Sequence, residues 1–108
     1  MENESPEARR APRKNLRARA QVAAPAEPVQ NGWTVDVSVS GVCIMLAEQV
    51  QNGAKCVIRF EVPVSTQKKI VQAVATAVYC VCVGRQGFRV GFHFSEPDPA
   101  RTNTIKAL

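Results

Sequence analysis

The chain has 108 residues, of which 45% are hydrophobic, and a formal net charge of +5. This length allows one domain, since domains commonly run to about 100–150 residues. No stretch approaches the ~20 consecutive apolar residues of a membrane span, and the acidic start lacks the apolar region of a secretory signal. We therefore expect a cytoplasmic protein.

Basic charge is concentrated near the N-terminus. Residues 1–8 are polar and acidic, which predicts a disordered tail. Six of the 14 Lys and Arg residues then fall between residues 9 and 19. Such a segment indicates an anionic partner (nucleic acid, nucleotide, phosphate or membrane surface), or else a tail that only keeps the protein soluble. We predict a flexible basic arm over residues 9–16.

The rest of the chain reads as short strands. Period-two alternation, typical of a half-buried strand, is clearest in "KCVIRFEV", where Cys56, Ile58, Phe60 and Val62 share one face. Further strands are predicted in "RARAQVAA", "WTVDV", "VCIMLA", residues 70–83 and "FRVGFHF", with "PVSTQKK" as a loop and "GRQG" as a hairpin turn.

Six or so strands without an early helix predict an all-β barrel or sandwich. A closed six-stranded antiparallel barrel over about residues 17–96 fits better, because closure removes exposed edges. A short C-terminal helix is expected at about 97–107. The strand over 70–83 is apolar on both faces, which indicates a central or covered strand. Trp33 and Tyr79 are assigned to the core, with base stacking as the alternative.

The sequence carries no pattern of metal or catalytic residues. Its four cysteines lie in apolar runs and are interpreted as reduced core thiols. Cys80 and Cys82 lack the usual CxxC spacing, and His93 is the only histidine, so a metal site is disfavoured. We find no Ser/His/Asp or Cys/His arrangement and no paired carboxylates. We therefore predict neither catalysis nor a cofactor.

One constellation of polar residues favours a guanine nucleotide. Asp36 and Ser38 lie two residues apart on a predicted strand and so share a face, and Gly41 leaves room for a ligand to approach the backbone. Upstream, Arg9 and Arg13 form an R-x-x-x-R pair. Guanidinium groups clamp phosphate and read the O6/N7 edge of guanine. A carboxylate would repel bare phosphate but accepts hydrogen bonds from the N1–H and N2–H₂ groups of guanine.

The R-x-x-x-R pair followed by D-x-S-x-x-G ("DVSVSG") resembles the two-part signature of PilZ domains, bacterial receptors for the second messenger cyclic di-GMP. The resemblance extends through "GVCIML", "AVATAVYCV" and "RVGFHF" to a terminal helix, from about residue 9 to residue 105. It implies a PilZ-type barrel that is not an enzyme. It also implies a receptor that orders its arm on binding cyclic di-GMP and signals through an unidentified partner protein, as in the control of motility or biofilm formation.

The resemblance also implies a role for each matching residue. Some family members carry a further arginine directly before the pair, where this chain has Ala8, so one nucleotide and an intercalated pair both stay open. Arg13 and Arg17 form an alternative pair. The expected ligand contacts are Arg9 and Arg13 to phosphates and guanines, Arg10 as an auxiliary contact, Asp36 and Ser38 to a guanine and nearby polar atoms, and Gly41 beneath it.

Two other functions are alternatives, of which nucleic-acid binding is disfavoured because the basic charge precedes the barrel and the aromatic residues fall mainly in core register. A small barrel with a basic arm could bind nucleic acid if aromatic and basic residues interleave on an exposed face. A protein-interaction module could also keep the PilZ fold without binding nucleotide.

Overall fold

A computed structural model describes residues 12–108. Within this range the regular secondary structure is mostly strand, with a 3₁₀ turn at Gly84–Gln86 and one helix near the end, so the predicted all-β class with a short C-terminal helix is confirmed. The elements are β1 (Lys14–Asn15), β2 (Arg19–Ala23), β3 (Gln30–Val37), β4 (Gly41–Leu46), β5 (Lys55–Val64), β6 (Gln67–Cys82), β7 (Phe88–Phe94) and α1 (Pro99–Lys106).

Strands β2 to β7 close a barrel. They follow the order β3-β2-β5-β6-β7-β4, and β4 pairs back with β3, every pairing being antiparallel. Closure gives each of these strands a neighbour on both sides, which removes the open edges that invite aggregation. The predicted six-stranded barrel is confirmed.

The core fills the barrel interior with alternate residues of each strand. In β5 the predicted set Cys56, Ile58, Phe60 and Val62 is buried, each at most 1% exposed. In β7, Val90, Phe92 and Phe94 lie inside and Arg89 and His93 outside, and only Gly91 departs from the alternation of buried and exposed residues. Period two therefore located the inner faces of both strands.

Helix α1 packs its apolar side against the barrel and is held at both ends. The carboxylate of Asp98 accepts hydrogen bonds from the first turn, from the N–H groups of Ala100 and Arg101. Ile105 is 1% exposed within the core cluster. At the other end, the Lys14 ammonium donates to the carbonyls of Ile105, Lys106 and Leu108 at 3.4, 3.1 and 2.8 Å. A cation there suits the negative end of the helix dipole.

Strands β1 and β2 run along the same edge of β3, and residues 16–18 separate one from the other. β1 pairs with the end of β3 and β2 with its beginning. Between them, the Thr34 hydroxyl accepts a hydrogen bond from the N–H of Ala18 at 2.9 Å and donates one to the carbonyl of Leu16. This buried hydroxyl satisfies backbone groups that the interrupted ladder would leave unpaired.

The structure differs from the prediction in two segments. Residues 63–69, predicted as a loop, form the tip of the β5–β6 hairpin, with Ser65 in the turn at φ 58°. Pro63 is tolerated because it lies beyond Phe60, the last residue of β5 paired with β2, so its missing N–H breaks no bond on that side. Lys14 and Asn15, predicted as part of the arm, form β1 because they pair with the end of β3.

Candidate functional site

The two parts of the motif meet on the outer wall of the barrel. Nη1 of Arg13 donates to Oδ1 of Asp36 at 2.9 Å, across 23 residues of sequence. The pairing of Asn15 with Asp36 holds this part of the arm against β3. The side chains of Arg13 and Asp36 remain 47% and 25% exposed. Both therefore keep unused donors and acceptors within reach of a ligand.

A β-bulge in β3 turns Asp36 outward. Thr34 and Val37 are both buried inside the barrel, although three positions apart they would face opposite sides of a regular strand. The register against β4 shifts between Thr34 and Asp36, so Val35 is the extra residue. In a regular strand, with no bulge at Val35, Asp36 would face the core together with Thr34. Bulges re-aim side chains in this way and recur beside functional sites.

The other two residues of the motif are engaged by the fold itself. Ser38 is 2% exposed; its Oγ lies 3.0 Å from Oγ of Ser40 and accepts a hydrogen bond from the Ser40 N–H at 3.2 Å. A Cβ at Gly41 would lie 2.2 Å from the carbonyl oxygen of Phe92 in β7. Ser38 thus organises the turn, and Gly41 allows β4 and β7 to approach closely.

Of the other arginines considered for the site, Arg17 alone lies within residues 12–108. Arg9 and Arg10 lie outside the described residues. Arg17, the alternative partner of Arg13, has its guanidinium carbon 5.0 Å from the centroid of the Trp33 ring. Arg17 therefore belongs to a neighbouring patch, and among residues 12–108 it is Arg13 that contacts Asp36.

A second bulge brings Tyr79 into the same neighbourhood. The register between β6 and β7 shifts between Ala77, which is buried, and Tyr79, which pairs with Gly91. The tyrosine ring covers Gly91, where a Cβ would lie 2.1 Å from the ring. Its hydroxyl lies 3.4 Å from Sγ of Cys43, the residue paired with Asp36. We call Asp36, Cys43, Gly91 and Tyr79, on four adjacent strands, the polar row.

The electrostatics of the polar row depend on burial. Burial, and then the hydrogen bond to Cys43, raise the pKa of Tyr79 to about 12. Burial also raises the pKa of the Cys43 thiol, against the opposing effect of the Tyr79 hydrogen bond. Both groups are therefore protonated at neutral pH. Asp36 carries the negative charge of the row, and Arg13 lies against it.

Two aromatic residues of this wall were assigned wrongly from the sequence. Trp33 is 42% exposed, and Tyr79 lies outside the core cluster, so neither belongs to the core. The informative signal for Tyr79 was Gly91, whose missing side chain leaves a flat place for a ring on the adjacent strand. Among the cysteines, Cys43 and Cys56 are buried as predicted, whereas Cys82 is exposed.

Two further properties concern metals and membranes. Within residues 12–108, no group of three or more His, Cys, Asp or Glu side chains is placed to hold a metal ion. No helix in this part of the chain is long and apolar enough to cross a membrane.

Comparison with solved structures finds the same fold. The structure of the Bacillus subtilis inhibitor of motility (MotI/DgrA) is similar with a TM-score of 0.78 and 12% identity, over 98% of this chain and 49% of that one. This chain thus spans about half the length of the Bacillus protein. The PilZ domain of YcgR from Escherichia coli, solved with c-di-GMP, is similar with a TM-score of 0.69 and 16% identity, over 91% and 86% of the two chains.

At the level of sequence, no curated protein matches the chain significantly. The family model of the PilZ domain, however, matches residues 7–108. That range includes both parts of the motif and every strand of the barrel. The chain therefore belongs to the PilZ domain family.

Proposed function

We propose that this protein is a receptor for cyclic di-GMP, which binds on the outer wall of the barrel beside Asp36. The observation that carries the proposal is the 2.9 Å contact between Arg13 and Asp36. It joins the arm to the barrel where a cation and a carboxylate are both partly exposed. The YcgR domain, which has the same fold, was solved with this nucleotide.

Each charged group has a distinct role in the proposed complex. Asp36 accepts hydrogen bonds from the N1–H and N2–H₂ groups of a guanine, and Arg13 donates to a phosphate. A guanidinium has five donors and a carboxylate about four acceptor sites, so the contact between them can persist while both bind the ligand. Nucleotide binding then fixes residues 9–13 over Asp36, with Arg9 and Arg10 completing the phosphate contacts.

Tyr79 adds an aromatic surface to the proposed site. Its ring lies flat on β7 over Gly91, two strands from Asp36. Bases stack on such rings with about 1–3 kcal/mol per base. Charge-assisted hydrogen bonds contribute about 1.5–3 kcal/mol each, from which the cost of ordering the arm is subtracted. We therefore expect micromolar to sub-micromolar affinity, and signalling passes to a partner protein.

Isothermal titration calorimetry of the full chain with cyclic di-GMP tests the proposal. We expect saturable binding that Arg13→Ala and Asp36→Ala each remove, while Arg85→Ala, an exposed arginine of the β6–β7 turn, leaves it unchanged. Backbone amide shifts should change in residues 13–19 and 36–41 during the titration. Tight binding that survives both site substitutions would contradict the site, and no binding by the unaltered chain would contradict the function.

One observation favours a second candidate, a single-stranded nucleic-acid-binding barrel. Trp33 is exposed on the outer wall with the Arg17 guanidinium stacked against it, and aromatic rings beside arginines bind unpaired bases. A gel shift with single-stranded DNA and RNA at physiological salt discriminates between the candidates. Binding that Trp33→Ala weakens, without any response to cyclic di-GMP, would favour the nucleic-acid function.

A further inference from the structure

The outer face of the β5–β6 hairpin carries aliphatic side chains that no part of residues 12–108 covers. Val57, Ile70, Val74 and Val78 are 44–54% exposed. Val57 and Val74 are direct cross-strand neighbours, and the three β6 residues recur at every fourth position. From Ile70 to Val78 they span about 26 Å of strand. We call these four side chains, with Lys55 and Arg59, the hairpin face.

Two cations flank the aliphatic centre. Lys55 and Arg59 lie two residues before and after Val57 on β5, on the same face, and both are exposed. Among the described residues neither forms a salt bridge, whereas Glu61, farther along the strand, pairs with Lys68 at 3.8 Å. Within residues 12–108, the hairpin face therefore combines unburied apolar area with positive charge that has no ionic partner.

The charge decides which occupant fits. A second copy docking isologously would bring Lys55 and Arg59 of both subunits into one interface, where like charges repel. Residues 1–11 ("MENESPEARRA") contain no Val, Leu, Ile or aromatic residue to cover the valines. An interfacial membrane contact uses large anchors such as Trp, Phe and Leu, which the hairpin face lacks.

We propose that the hairpin face is the docking surface for a partner protein that presents aliphatic side chains flanked by carboxylates. Its carboxylates pair with Lys55 and Arg59, and its aliphatic groups cover Val57 and Val74. A surface of two strands belongs to the small, transient class of interface, below about 1,200 Å² in total. The inference rests on the proposed function in one respect, that the receptor signals through another protein.

Site-specific photocrosslinking identifies the occupant. A photoreactive amino acid replaces Gln72, which lies between Ile70 and Val74, in the full chain expressed in its source cell. The matched control carries it at Asn103, exposed on α1. We expect a protein that is crosslinked from Gln72 and not from Asn103. No such protein, or a second copy of this chain, would overturn the proposal.

The captured protein is then purified and its affinity for the full chain measured. Val57→Thr with Val74→Thr should weaken binding about tenfold, since roughly two buried methyl groups are lost. Arg59→Glu should weaken it by about tenfold or more, and less at high salt. Val29→Thr and Arg85→Glu, exposed residues elsewhere, should have no effect. Equal affinity of all variants would overturn the proposal.

Two controls separate this inference from the alternatives. Sedimentation with phosphatidylglycerol vesicles tests a membrane contact; binding that Arg59→Glu abolishes would overturn the docking of a protein. Calorimetry with cyclic di-GMP tests the receptor function on the same variants. If the hairpin-face variants bind nucleotide but lose the captured protein, both proposals hold. If the unaltered chain binds the captured protein but no nucleotide, only the receptor function fails.

Discussion

Strand β6 contributes to two outer surfaces that are built in opposite ways. In the polar row, the exposed functional groups have partners: Arg13 contacts Asp36, and Tyr79 contacts Cys43. On the hairpin face, the aliphatic side chains stay about half exposed, and the two flanking cations form no salt bridge among the described residues. The side chains of the first surface are held by contacts within the fold, and those of the second surface are left exposed.

The difference shows how a small barrel separates folding from binding. The core needs only one face of each strand, so the outer face is free to vary. At the polar row, two bulges break the strand alternation and turn Asp36 and Tyr79 outward. On the hairpin face the alternation is regular, and only the choice of side chain distinguishes it from ordinary polar surface. Substitutions can test each half of this comparison.

The largest effect is expected from Asp36→Asn. The amide keeps the shape of the side chain but loses the charge and presents a donor to the donors of guanine. Losing two charge-assisted hydrogen bonds should weaken cyclic di-GMP binding at least about a hundredfold. Calorimetry measures it, with Glu48→Gln, an exposed carboxylate elsewhere, as the control. Unchanged affinity would show that the negative charge of the polar row has no part in binding.

Gly91→Ala should disrupt the polar row by displacing the Tyr79 ring. The added Cβ would lie 2.1 Å from the Tyr79 ring, so the ring must leave β7, at a cost of about 1–3 kcal/mol in the free energy of unfolding. Urea unfolding measures the stability, and mass spectrometry after alkylation should show faster labelling of Cys43. Gly53→Ala strains a turn at φ 88° but adds its Cβ where no atom lies within 4 Å, so it should leave Cys43 protected even if it lowers stability. Equal protection in both variants would contradict the assigned ring position.

Alkaline pH should lower the free energy of unfolding through the ionisation of Tyr79. In the unfolded chain its phenol ionises near its ordinary pKa of 10, whereas in the fold the pKa is raised to about 12. This contribution to the free energy of unfolding is therefore complete below pH 10 and is lost as pH rises toward 12. Urea unfolding across this range should show a steeper fall for the unaltered chain than for Tyr79→Phe. Parallel curves would count against the raised pKa.

The smallest effect on stability is expected on the hairpin face. Val74→Thr replaces an exposed methyl by a hydroxyl and should change the free energy of unfolding by less than about 0.5 kcal/mol. The matched change Val71→Thr, on the inner face of the same strand at 4% exposure, should cost about 1–3 kcal/mol because it buries a hydroxyl. Thermal unfolding compares the two. Similar losses would show that the hairpin face contributes to folding.

The sequence predicted the parts of the fold that depend on a single local pattern, such as strand alternation or a turn residue. Period two located the inner faces of β5 and β7, and turn residues located most of the connections. The β5–β6 hairpin tip was missed because Pro63 marks a loop in most contexts, and only the end of the β2 pairing makes it acceptable in a strand. β1 was missed because two residues carry no periodicity; long-range pairing with β3 defines it.

At the candidate site, the sequence predicted which residues take part better than it predicted which way their side chains point. Arg13 and Asp36 were chosen for their chemistry, and the structure brings them together. Tyr79 and Trp33 were assigned to the core because a lone aromatic residue in a strand is usually buried, and the bulges beside them cannot be read from the sequence. Ser38 fits the motif, but its hydroxyl also has an ordinary place in the turn. A short motif can therefore match for reasons of folding and of binding at once.

The division of β6 has a consequence for how this protein can change. Its earlier residues pair with β5 and its later ones with β7, and the two ladders overlap only at Ala75 and Thr76. The polar row and the hairpin face share a backbone but no side chain, and they come next to each other only at Val78 and Tyr79. Substitutions at distant sites combine additively. The proposed ligand site and the proposed docking surface can thus be altered independently, except at the bulge where the surfaces meet.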